Sequence, residues 1–146
     1  MSTIRSNNNQ ESLRMTKRCL LGAMFFFAAS SANAGCWVVG NLSGVGSKQF
    51  NQFEFQKDGY SGKVFVLNFD KNSPSVTDSI MDYTLIGPTS MIGTYQSDLG
   101  ITIQTWQIST DGTKAFMTLN RTNSNNVMQD AVGSFVGDVK AKCDHK

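Results

Sequence analysis

The sequence predicts an all-β domain: an eight-stranded antiparallel meander closed into a small barrel, its ends joined by a disulfide, with a β-sandwich as the alternative. Three observations carry that expectation. Apolar and polar residues alternate with period two in short segments through most of residues 36–142, the pattern of strands with one buried face. The breaks between segments hold Gly, Pro, Asn and Asp in turn combinations, and no segment repeats its apolar residues at helical spacing over a helix's length. Cys36 and Cys143 stand at the two ends of this region with no cysteine between them.

Each element follows in order. Cys36–Leu42 is apolar and opens with Trp37, which makes it the first strand. In Phe50–Lys57, Phe53 and Phe55 alternate with Gln52, Glu54 and Gln56, which predicts the second, and Lys57-Asp58-Gly59 supplies its closing turn. Lys63–Phe69 is apolar on both faces, as a central or covered strand is. Asp70–Ser79, polar and holding Pro74, is the longest loop. Ile80–Ile86 is stopped by Gly87-Pro88, Met91–Gln96 and Ile101–Ile108 flank Ser97-Asp98-Leu99-Gly100, and Asp111-Gly112 turns the chain into Lys114–Arg121. In the last strand, Ala131–Lys142, one face carries Ala131, Gly133, Phe135, Gly137, Val139 and Ala141 in phase with Cys143. Short sequential links favour an up-and-down order, and eight strands suffice to close a small barrel. The first and last strands are then neighbours, which brings Cys36 and Cys143 within the roughly 7 Å that a disulfide allows between Cα atoms.

Residues 1–34 read as an export signal, and 35–146 as one β domain. Lys17 and Arg18 precede an apolar run from Leu20 to Ala29, and Ala32-Asn33-Ala34 fits a cleavage site after Ala34. The run is shorter than the roughly 20 apolar residues of a transmembrane helix. A start at Met15 gives a compact leader, so Met15 is a candidate initiator. Export implies a periplasmic or secreted protein of a bacterium, an oxidising compartment, and a Cys36–Cys143 disulfide, with Cys19 removed in the leader. The rival reading, a lipoprotein lipidated on Cys36, meets Asn33 where a Leu-like residue is expected and leaves Cys143 unpaired. Losing residues 1–34 removes Arg5, Arg14, Lys17, Arg18 and Glu11, which takes the formal net charge from +2 to −1. A near-neutral domain with scattered lysines lacks the basic stripe that nucleic acid requires.

Gly35-Cys36-Trp37 resembles the opening of the calycin barrels, the lipocalin-like and avidin-like proteins whose first strand commonly begins Gly-x-Trp. The resemblance implies a late-strand arginine stacked on that Trp at the closed end. Arg121, the one arginine after the leader, is the residue it assigns to Trp37. It further implies a carrier of small apolar ligands.

The residues that could carry chemistry are few. His145, the single histidine, sits in the terminal tail, where nothing fixes its geometry as a general base, and it cannot build a zinc site alone. The disulfide consumes both thiols. Asp70, Asp78 and Asp82 border the long loop and are the acids a glycan-active or Ca²⁺ site would use, whereas Asp58 and Asp111 read as turn residues. Tyr83, Tyr95 and Trp106 are candidate ligand or partner contacts on strands. Neither a metal nor a cofactor is expected. The leading expectation is a non-enzymatic exported barrel that binds a protein or cell-envelope component, as an inhibitor, immunity or adhesion-type factor. The polar loops Ser43–Gln49, Asp70–Ser79 and Thr122–Asp130 would present its contacts. The alternatives are a lipocalin-type carrier and a glycan-binding or glycan-active protein.

Overall fold

The computed structural model describes residues 35–124 and 129–143; the leader with Met15 and Cys19, and His145, lie outside the described residues. Nine strands form one antiparallel sheet: β1 Cys36–Lys48, β2 Gln56–Gly59, β3 Val64–Asn68, β4 Ser75–Val76, β5 Asp82–Gly87, β6 Ser90–Ser97, β7 Gly100–Ile108, β8 Lys114–Asn123 and β9 Ala131–Cys143. The sheet order is β4-β3-β1-β9-β8-β7-β6-β5. This is the expected up-and-down barrel, nearly closed, with first and last strands paired. β2 and β3 both pair with β1, at Ser43–Gly46 and Cys36–Gly40 respectively, so they act as one interrupted strand and the barrel has eight positions. The gap in the ring falls between β4 and β5.

The C-terminal half follows its turn chemistry closely. Gly87 pairs with Ser90 around Pro88-Thr89, and Ser97 pairs with Gly100 around Asp98-Leu99. Gly112, at φ +72°, donates its N–H to the Ser109 carbonyl.

The N-terminal half departs from the sequence reading. Ser43–Lys48 is strand, not loop, and it extends β1 along β9 to Ala131. Its glycines serve close approach, because a Cβ on Gly44 would collide with the Ser134 carbonyl oxygen. Phe50–Phe55 is not strand. A short 3-10 turn spans Gln49–Asn51, and the Asn51 side chain accepts from the Lys48 N–H and donates to the Glu54 carbonyl. Those local bonds replace a ladder. Lys57-Asp58-Gly59 then lies within β2, and the turn falls at Gly62, φ +72°. The long loop holds the two-residue β4.

The disulfide joins Cys36 and Cys143 at a directly paired register, with Cα atoms 4.9 Å apart. Ala131, Gly133, Phe135 and Gly137 are all buried on the predicted face of β9. A bulge at Lys140, where Val38 and Val39 pair with Ala141 and Val139, breaks the phase, and Ala141 is exposed. The core fills the barrel with Trp37, Val39, Leu67, Phe69, Met91, Trp106, Met117 and Phe135. Among the described residues no helix is long and apolar enough to cross a membrane.

Candidate functional site

The two ends of the barrel differ. At the disulfide end Trp37 seals the interior, lying 3.3 Å from where a Cβ on Gly112 would stand. The cation over its ring is Lys142, its direct neighbour on β9, with Nζ 4.2 Å from the centroid. This corrects the assignment of Arg121. Arg121 pairs with Ala131, at the far end of β9 from Lys142, so it cannot reach Trp37. The alternation of β8 buries Ala115 and Met117, and Leu119 and Arg121 follow in the same inward phase.

Arg121 therefore enters the opposite, open end. The cross-strand row Tyr95–Thr102–Arg121–Ala131–Lys48 rings this mouth. Across it, β2 contributes Asp58, whose carboxylate bonds Lys48 Nζ at 3.2 Å, and Tyr60 follows. Lys48, Asp58, Tyr60, Arg121, Leu119 and Phe135 line a cavity of about 190 Å³. Two glycines give its side chains room. A Cβ on Gly46 would stand 2.9 Å from Asp58 Oδ2, and one on Gly133 would stand 2.5 Å from the Phe135 ring. Tyr60 packs edge-on against Phe65 and Phe135, with centroids 5.5 and 5.4 Å away. Burial raises its phenol above the usual range and the Asp58 charge adds to that, while Arg121 pulls the other way. Arg121 Nε donates to the Gln129 carbonyl at 3.1 Å, which fixes the plane of its guanidinium.

A second feature adjoins the mouth. Phe50, Phe53 and Phe55 are 66, 51 and 66 % exposed, on the segment between Lys48 and Asp58. Backbone bonds from Gln52 N to Gln49 O, Phe53 N to Lys48 O and Glu54 N to Asn51 O hold this segment, in addition to the Asn51 side chain. Gln52 and Phe53 both occupy the left-handed region, at φ +58° and +61°. A small pocket of about 70 Å³ links Phe50 and Asn51 to Lys48 and Asp58, so platform and cup are continuous.

The aromatic residues singled out from sequence separate. Trp106 is 1 % exposed and belongs to the core. Its Nε1 and the Tyr83 hydroxyl both donate to Gln104 Oε1 at 2.8 Å, and Ser79 Oγ lies 3.0 Å from Tyr83 Oη. Burial pushes the Tyr83 phenol up. Only Tyr95 reaches the mouth row. Asp70 caps its own loop, accepting from the N–H groups of Asn72 and Ser73, and Asp82 pairs with Thr94 on β5. No group of three or more His, Cys, Asp or Glu is placed to hold a metal among the described residues. Asp58, read as a turn residue, and Lys48 and Tyr60, unremarked in the sequence, belong to the site. The signal for Arg121 was present in the period-two phase of Lys114–Arg121, which sets it on the same face as Ala115, Met117 and Leu119.

No family model, curated protein or solved structure matches the chain. The reading of the mouth therefore rests on its own geometry. The disulfide is consistent with a periplasmic or extracellular protein.

Proposed function

We propose that this is an exported, non-enzymatic barrel that binds a macromolecular partner, in the manner of an inhibitor, immunity or adhesion-type factor, through the Phe50–Phe55 platform. The observation that carries the reading is three phenylalanines, each more than half exposed, on a backbone pinned by hydrogen bonds and held partly in the left-handed region. Clustered exposed aromatics mark interaction surfaces, and buried aromatic anchors dominate binding energies. Two residues in the left-handed region cost of order 1 kcal/mol each or more, a strain that collects at functional segments. A pinned platform loses little freedom on association.

The filled interior disfavours the carrier alternative. The cup's roughly 190 Å³ is below the ~300 Å³ at which drug-sized sites begin, and the larger hollow of about 580 Å³ beside Asn41, Lys57 and Ser61 is open to solvent and not enclosed. For the glycan alternative, buried Trp106 offers no stacking face.

The test is site-specific photocrosslinking in the producing cells. A crosslinker at position 50 or 55 should give a discrete adduct with one macromolecule, and the same group at Ile86, equally exposed on β5, should give none. Indistinguishable adducts at all three positions, or none at any, would overturn the proposal.

A further inference from the structure

We infer that the cup at the barrel mouth binds a carboxylate carried on a short apolar stem, and that the partner on the phenylalanine platform supplies it as an acidic side chain. The second half rests on the partner-binding reading above; the first does not.

Charge selects the ligand class. Three charged side chains line the cup: Lys48, Asp58 and Arg121. Lys48 and Asp58 neutralise one another at 3.2 Å, whereas Arg121 has no ion pair among the described residues. The cup thus carries one uncompensated positive charge. That charge is a guanidinium, oriented through Nε on the Gln129 carbonyl, and its Nη edge, with no hydrogen bond among the described residues, can present the fork that matches a carboxylate. Lys48, already committed to Asp58, is a neighbour and not a second anchor.

Shape selects the stem. Beside Arg121 the lining includes the apolar side chains of Leu119, Ala131 and Phe135, and the Phe135 ring covers Gly133. A fully hydrated polyanion has no partners there, while a few methylenes ending in a carboxylate match both levels. The volume limits the guest to a side chain or a short acid. Placement selects the source. Phe50 shares the adjoining pocket with Lys48 and Asp58, so a chain lying on the platform passes the rim of the cup.

The experiment is an NMR titration of the disulfide-intact protein with butyrate, with phosphate and chloride at matched ionic strength as comparisons. Butyrate should shift the Arg121 Nε–H and the amides of Leu119, Ala131 and Gly133 saturably, at about millimolar concentration. Arg121→Gln should weaken this at least about tenfold, and Arg121→Lys should recover only part of it. Ala131→Leu, which keeps every charge and fills the cup, should abolish it. Melting curves of the variants show that each is folded. Phosphate binding as well as butyrate, or an unchanged titration in Arg121→Gln, would overturn the carboxylate site. The partner half is read separately from the position-50 crosslink. Arg121→Gln should reduce its yield, and 50 mM butyrate should compete. Butyrate binding with an unaffected crosslink would overturn the acidic-side-chain assignment and leave a free short-chain acid as the guest. An absent titration beside an intact crosslink would sink the cup alone and leave the platform reading standing.

Discussion

Replacing both cysteines, Cys36→Ser with Cys143→Ser, tests what the covalent seam contributes. The bond closes a loop of sequence separation 107. On the chain-entropy model a loop of that length stabilises the fold by about 4.8 kcal/mol at 25 °C, nearly all of it through the unfolded chain. At roughly 4–8 °C per kcal/mol for a domain near 100 residues, the midpoint should fall by roughly 20–40 °C. The native barrel should nevertheless persist, because β1 and β9 stay paired from Cys36–Cys143 through Lys48–Ala131 without the bond. Circular dichroism checks both parts. The near-ultraviolet spectrum below the transition should match the parent, and thermal and urea melts should give the lowered midpoint. The urea slope should rise, since an unlinked denatured chain exposes more surface. A midpoint within about 5 °C of the parent, or an unchanged slope, would refute the assignment of the effect to the unfolded state.

Other perturbations address other parts of the fold. Gln104→Leu removes the acceptor shared by Tyr83 and Trp106, and the buried Trp106 Nε1 is then orphaned at a cost of about 1–3 kcal/mol in chemical denaturation. Adding Trp106→Phe to it should lose less than the sum of the two single variants, a coupling that a double-mutant cycle reads directly. Gly44→Ala drives a Cβ into the Ser134 carbonyl and should destabilise by about 1–3 kcal/mol, measured the same way. Asp138 accepts from Lys114 Nζ, Asn41 Nδ2 and Lys140 Nζ, which hold its carboxyl well below the usual range, Lys114 contributing most. Its depressed folded-state pKa makes the unfolded chain the stronger proton binder. The stabilisation is present above the ordinary carboxylate pKa near 4 and is lost as pH falls toward the lower folded value. Asp138→Asn should therefore flatten the acid limb of a midpoint-against-pH curve and leave its shape above about pH 6 unchanged.

The strands that could be read from sequence are those whose ends are set by local turn chemistry. Met91–Gln96, Ile101–Ile108 and Lys114–Arg121 match β6, β7 and β8 to within two residues, because Gly87-Pro88, Ser97–Gly100 and Asp111-Gly112 each specify a turn by backbone conformation alone. The misreadings fall where a residue's role is tertiary. Gly44 and Gly46 look like loop glycines, yet they lie in strand and make room for the β9 backbone and the Asp58 carboxylate. Phe50–Phe55 alternates as a strand would, but the hydrogen bonds of Asn51 hold the chain out of the sheet. Asp58-Gly59 has turn composition and sits in β2 because β1 continues past Leu42 to receive it. The site shares these obstacles, since it needs β2 in line with β3 before Asp58 and Tyr60 can face Arg121. Of its parts, Arg121 alone was accessible through alternation.

Why the mouth and not the disulfide end is the candidate site follows from how each end is finished. At the closed end, among the described residues, Lys142 lies over Trp37, and Asp138 gathers Lys114, Lys140 and Asn41 across β8, β9 and β1. Trp37 packs against the Asp111-Gly112 turn there. At the mouth the same strands place glycine at 46 and 133, where a Cβ would meet the Asp58 carboxylate and the Phe135 ring, and arginine at 121 where the inward phase calls for an apolar residue. The adjoining segment keeps three phenylalanines in solvent and one of them, Phe53, at positive φ, a conformation that glycine adopts without strain. Packing accounts for the two glycines, whereas the inward arginine and the exposed phenylalanines gain the fold no burial and lie near Lys48 and Asp58. Under the partner-binding proposal these departures collect on one rim because a partner covers them.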